Sequence, residues 1–93
     1  MQTFRQQMIS LLKDQEMSAR DLSQVIGIQE KEVYGHLGHV ARTVEIQGKK
    51  LVIQPFRCLS CGYVFKNRKR FTRPGHCPAC RKTHLEVPTY RIC

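Results

Sequence analysis

Cys58-Leu59-Ser60-Cys61 and Cys77-Pro78-Ala79-Cys80, separated by the fifteen residues Gly62 to His76, decide how the second half of this chain is read. Four thiolates presented as two close pairs can surround one metal ion tetrahedrally, and this spacing is that of a Cys₄ ribbon. Gly62 suits the positive backbone angle that such a turn needs, and Pro78 pre-sets the entry to the second pair. The competing reading, two disulfides, requires an oxidising compartment. Met1-Gln2-Thr3-Phe4 opens no apolar signal stretch, and no run is long enough to cross a membrane. The expectation is therefore one structural Zn²⁺ per chain in a cytoplasmic protein, with iron the other metal that four cysteine sulfurs hold. Four protein donors leave no open position for water or substrate, which makes the site structural rather than catalytic.

Working outward, charge separates the two halves. Residues 1–54 carry seven Lys or Arg against six Asp or Glu, whereas residues 55–93 carry nine against Glu86 alone. Concentrated positive charge of this kind matches a polyanion, and nucleic acid is the commonest one inside cells. A segment of about forty residues rarely buries enough apolar surface to fold alone, so the metal is expected to be a folding requirement of residues 55–93.

The first half reads as three helices. Phe4, Met8, Leu11 and Leu12 recur at helical spacing, giving a first helix that ends near Lys13 to Gln15. Ser18 followed by Asp21 is a capping-box pair that opens a second helix, with Leu22, Val25 and Ile26 on its apolar face and Gly27 at its end. A third runs from Glu30 to about Arg42 with Val33, Leu37 and Val40 inward. The last two form a helix-turn-helix. Alternation at Val44 and Ile46, then at Leu51 and Ile53, with Gly48 between, predicts a β-hairpin wing over 43–54. The expected fold is α+β: a winged helix-turn-helix over 1–54 and a small Cys₄ zinc ribbon over 55–93. Only Gln54, Pro55, Phe56 and Arg57 separate Ile53 from Cys58, so the two are expected to form one semi-rigid body.

On a helical wheel Lys31, Gly35, Gly38, His39 and Arg42 lie opposite the apolar stripe of the third helix, with Tyr34 and His36 flanking. In a winged helix that face enters the major groove of double-stranded DNA, where Lys31, Tyr34, His39 and Arg42 would contact bases or phosphates. Lys49 and Lys50 of the wing would reach flanking phosphates. The face is poor in Arg, Asn and Gln, the side chains that read bases best. Between the cysteine pairs, Lys66-Asn67-Arg68-Lys69-Arg70-Phe71-Thr72-Arg73 holds five positive charges and no negative one. Arg68, Lys69, Arg70 and Arg73 are the candidate phosphate contacts there, and Phe71 is assigned to packing.

The stretch from Pro55 through Cys58-Leu59-Ser60-Cys61-Gly62-Tyr63-Val64-Phe65-Lys66, Arg68, Arg70, Pro74, Cys77-Pro78-Ala79-Cys80 and Pro88 resembles predicted prokaryotic transcriptional regulators that fuse a helix-turn-helix to a zinc ribbon. Their winged helix is similar to arsenic-repressor-type domains. The resemblance, carried also by Ala19-Arg20-Asp21-Leu22 and Val33-Tyr34-Gly35-His36-Leu37, implies DNA binding and transcription control. Gly35 departs from it, standing where such helices more often carry a long polar side chain.

Other functions compete. A rubredoxin-like iron electron carrier would use the same cysteines, but the basic charge, the helical half and the lack of an evident aromatic cage speak against it. An RNA- or protein-docking module of a larger complex needs no more than these two folds. A metal- or oxidant-sensing role is a further reading, less favoured because tightly spaced four-sulfur sites are usually inert. Cys93, the fifth cysteine, reads as a spare thiol. No catalytic triad, paired carboxylates or phosphate loop is present, so an enzyme is not expected. Many winged helices act as dimers, and the first helix is the candidate surface for a homodimer.

Overall fold

The structure, a computed structural model, describes residues 3–66 and 68–93. In chain order it contains α1 (Phe4–Asp14), β1 (Met17–Ser18), α2 (Ala19–Ile26), α3 (Glu30–Ile46), β2 (Leu51–Ile53), β3 (Phe56–Arg57), β4 (Val64–Phe65) and β5 (Thr89–Ile92). Three helices pack on a three-stranded antiparallel sheet of order β1-β5-β2, and β3 and β4 form a separate two-stranded hairpin. This is a winged helix with a four-cysteine ribbon inserted between β2 and β5.

Each helix begins where its side chains can satisfy backbone donors that the helix itself leaves unpaired. The Gln6 amide donates to Thr3 Oγ1 at 3.2 Å and the Thr3 amide to Gln6 Oε1 at 2.9 Å. Ser18 and Asp21 repeat the arrangement at 3.0 and 3.1 Å, and Gly27 closes α2 in the left-handed region at φ 84°. Ser18 is also buried. Ser18→Ala is therefore expected to lower stability by about 1 kcal/mol, whereas Ser18→Gly should cost only a few tenths. Urea denaturation checks this, and equal losses in the two variants would assign Ser18 a packing role instead.

The hairpin expected over 43–54 is not what forms. α3 continues to Ile46, because Val44 extends the stripe Val33, Leu37, Val40 by one more turn and is fully buried with them. Gly48, at φ 79°, stops this helix instead of turning a hairpin. The Lys49 amide donates to Val44 O at 2.8 Å and the Gly48 amide to Glu45 O at 3.0 Å, the paired bonds of a Schellman motif. Ile46 is left 88% exposed at the helix end. β2 finds its partner in β5, with Leu51 opposite Ile92 and Ile53 opposite Tyr90.

The division at 54/55 is corrected accordingly. The last strand of the segment expected to be ribbon is the central strand of the winged-helix sheet, where it also pairs Met17 with Tyr90. Tyr90 and Ile92 belong to the same buried cluster as Met8, Leu12, Leu22 and Leu37. A further tie comes from Phe71, which packs on that cluster with its ring edge-on to Tyr90 at 6.0 Å. The Tyr90 hydroxyl donates to the Phe71 carbonyl. Among the described residues, no helix is long and apolar enough to cross a membrane.

Candidate metal centre and nucleic-acid face

The ribbon is two turns of the same design. After β3, the Cys58 amide donates to Tyr63 O at 2.8 Å and the Gly62 amide back to Cys58 O at 2.9 Å. In the second turn the Cys77 amide donates to Lys82 O at 2.9 Å and the Arg81 amide to Cys77 O at 2.8 Å. Arg81 thus occupies the slot of Gly62, and like it adopts positive φ, at 63° against 80°. Both chains double back, so both sulfurs of each pair face one point.

Cys58 Sγ lies 3.5 Å from Cys80 Sγ and Cys61 Sγ 3.6 Å from Cys77 Sγ, with all four sulfurs within 4.8 Å of one another. These separations are far beyond a disulfide bond of about 2.0 Å. A tetrahedron with metal–sulfur bonds of about 2.3 Å places its sulfurs about 3.8 Å apart, which the cluster matches. The four residues therefore fit a structural metal ion. Burial opposes ionisation of Cys58, but the amides of Cys61 and Ser60 and the neighbouring thiols outweigh it and bring the group down to about 6. At Cys61 the Tyr63 amide favours the thiolate, yet burial and the adjacent thiols prevail and push it up to about 12. Without a cation the site resists holding several thiolates at once, which is the charge problem a divalent ion solves.

Beside the first turn the aromatics do gather, contrary to expectation. Phe56 and Phe65, paired across β3 and β4, stack at 4.6 Å, and Tyr63 meets Phe65 edge-on at 5.1 Å. Cross-strand pairing brings together rings that lie apart in sequence. Their presence removes one of the arguments made above against iron.

The residues expected to meet DNA divide into two groups. Lys31, His39 and Arg42 are exposed on α3, and Gly35, Gly38, His39 and Arg42 line a shallow notch. Beyond the helix's own backbone and the neighbouring residues, nothing lies within 4 Å of where a Cβ would stand on either glycine. Lys49 and Lys50 are exposed ahead of β2. Tyr34 is half-buried against the core; burial raises its hydroxyl pKa, Glu30 adds to that, and Arg73 opposes it. Arg73 Nη2 donates to Leu85 O at 3.2 Å. Arg68 Nη2 is likewise engaged, donating to Thr72 O at 2.9 Å. Lys69 and Arg70 are exposed. The charge run in the sequence could not separate these two from the arginines held by backbone carbonyls.

Fold and site together define a winged helix carrying a four-cysteine ribbon. Residues 3–52 match the family described as PF0610-like, N-terminal, and the chain belongs to it. The whole chain is similar to the solution NMR structure of protein PF0610 from Pyrococcus furiosus, with a TM-score of 0.79 and 26% identity over 97% of this chain and 88% of that one. No curated protein sequence matches.

Proposed function

We propose that the protein is a cytoplasmic, DNA-binding transcriptional regulator in which the winged helix engages duplex DNA and a zinc ion organises the ribbon. The observation that carries this reading is the anchoring of the basic segment on the same core as α3. The segment ending at Arg73 packs through Phe71 on the cluster that holds Val33, Leu37 and Val40 of α3, the helix whose exposed face bears Lys31, His39 and Arg42. The ribbon then extends the electrostatic footprint of α3, with Lys69 and Arg70 as phosphate contacts and Arg68 and Arg73 as residues that shape the loop. Regulator function and likeness to arsenic-repressor-type winged helices belong to this proposal.

Enrichment of genomic fragments on the immobilised, metal-loaded protein at about 0.2 M salt tests it, since non-specific phosphate binding is then weak. Convergence on one motif is expected, and its symmetry reads out a dimer. Lys69→Ala and Arg70→Ala should each weaken binding across all sequences and lower the salt slope by about one. Unchanged slopes would remove the ribbon from the interface.

A docking role on RNA or another protein draws on a different observation, the two glycines on the exposed face of α3. Exposed helical Gly costs about 1 kcal/mol relative to Ala. Gly35→Ala and Gly38→Ala should therefore each stabilise the fold by about that amount, and a matching loss of DNA affinity would assign the notch to close approach of the duplex. Stabilisation with unchanged DNA binding would favour the docking reading.

A further inference from the structure

β2 is an edge strand, and its hydrogen-bonding pattern leaves one side open. The Lys50 amide donates to Cys93 O at 3.0 Å and the Cys93 amide to Lys50 O at 2.9 Å, while the Gln54 amide donates to Thr89 O at 2.9 Å. Hydrogen-bonded and non-hydrogen-bonded pairs alternate in an antiparallel ladder. With Val52 opposite Arg91, residues 50, 52 and 54 face β5, and the amides and carbonyls of Leu51 and Ile53 face away from it. Among the described residues no strand pairs with this edge.

The edge forms one wall of a groove of about 660 Å³ whose other wall is made by Lys66, Arg68, Lys69 and Phe71. Its apolar lining comes from Leu51, Val52, Ile53, Pro55 and Phe71. Lys50, Lys66, Arg68 and Lys69 supply four cations, and no acidic residue lines it. Among the described residues, Arg68 Nε is buried without a hydrogen-bond partner. Arg68 is only partly buried, and a carboxylate meeting the open side of its guanidinium would form a charge-assisted hydrogen bond.

We propose that this groove binds an extended, acidic segment of a partner protein, which adds to β2 as a fourth strand of the sheet. An extended peptide meets both features: its backbone pairs with Leu51 and Ile53, and its acidic side chains meet the cations of the opposite wall. Phosphate backbones lack the alternating donors and acceptors and gain nothing from the apolar lining. A second copy pairing through its own β2 would set the same cations, Lys50, Lys66, Arg68 and Lys69, against one another. A bare edge invites indiscriminate pairing, and the ring of cations restricts it to acidic strands. The proposal does not depend on duplex binding, but Lys50 and Lys69 serve both, so a bound acidic strand would compete with DNA for them.

The test uses the full, metal-loaded, ¹⁵N-labelled chain and the peptide acetyl-Gly-Asp-Val-Asp-Val-Asp-Gly-amide. At saturation the Leu51 and Ile53 amides are expected to exchange with solvent at least about tenfold more slowly, while Val52, already paired within the sheet, changes little. Arg68→Gln combined with Lys66→Gln should weaken binding by about tenfold or more, a fold-change readable even where the stability of the variant shifts. A peptide with Lys in place of Asp should not bind. Failure of the acidic peptide to bind, binding without protection of Leu51 and Ile53, or equal protection by hexanoate or by a DNA duplex would each overturn the proposal.

Discussion

Refolded with a chelator and without metal, the chain is expected to lose the ordered structure of residues 56–65 and 74–88 while its three helices survive. The ribbon has almost no core of its own: Cys58, Cys77 and Leu85 are its buried cluster, with only Phe65 and Cys80 packed against them. Three of those five residues are sulfur ligands, so removing the ion removes the centre of the packing as well as the cross-link. Metal binding in such peptides supplies on the order of 10 kcal/mol, far more than the Phe56–Phe65 stack and one hairpin of four residues can replace. The helices are expected to persist because Met8, Leu12, Leu22, Leu37 and Tyr90 pack in a separate cluster that contains no cysteine. Amide spectra should therefore show residues 56–65 and 74–88 collapsing into the narrow unfolded range, with helical circular dichroism largely kept and dispersion restored by Zn²⁺. Cys77→Ser, at a fully buried position, should produce the same state in the presence of metal. Full dispersion in the chelated protein would mean that the ribbon folds without an ion. Loss of the helical signal as well would mean that the two clusters unfold as one.

That separation also explains which parts of the molecule were legible in the sequence. The metal site could be read because a four-sulfur tetrahedron is specified by local turns, and local turns are written in neighbouring residues. The start of α2 was legible for the same reason, since Ser18 and Asp21 act within one helical turn; the Thr3–Gln6 pair that opens α1 is equally local but was not read from the sequence. The end of α3 was not, because Val44 and Ile46 alternate like a strand while Val44 equally continues a stripe at helical spacing. A glycine with positive φ serves a hairpin or a helix stop alike, so Gly48 did not discriminate. The burial of Val44 decided the matter, and burial is a tertiary property. β1 and β5 were missed because two- and four-residue strands carry little periodicity, and the partners Met17 and Tyr90 lie at opposite ends of the chain. Tyr90 and Ile92 do alternate with Arg91, a signal that could have marked a strand but not its sheet. The open edge of β2 follows from the same long-range pairing, so the groove beside it had no local signature.

The fragment 1–54, which the sequence delimits as a winged helix, is expected not to fold cooperatively. It lacks β5, the strand that separates β1 from β2, and two edge strands of two and three residues cannot pair without it. It also lacks Tyr90, at 0% exposure the largest fully buried side chain, and Ile92, so Met8, Leu12 and Leu37 would lose the surface they pack on. Residual helix without a sharp urea transition is the expected behaviour, since short helices owe most of their stability to tertiary packing. In the full chain Tyr90→Ala should cost about 3–5 kcal/mol by leaving a cavity in that cluster. Tyr90→Phe keeps the ring and loses only the hydroxyl's bond to the Phe71 carbonyl, for about 1 kcal/mol. A larger loss in the phenylalanine variant would show that this bond also holds the basic segment against the helices, and amide shifts at residues 68–73 would report it. A two-state transition in the 1–54 fragment near that of the whole protein would overturn the central role of β5 and restore the boundary at residue 54.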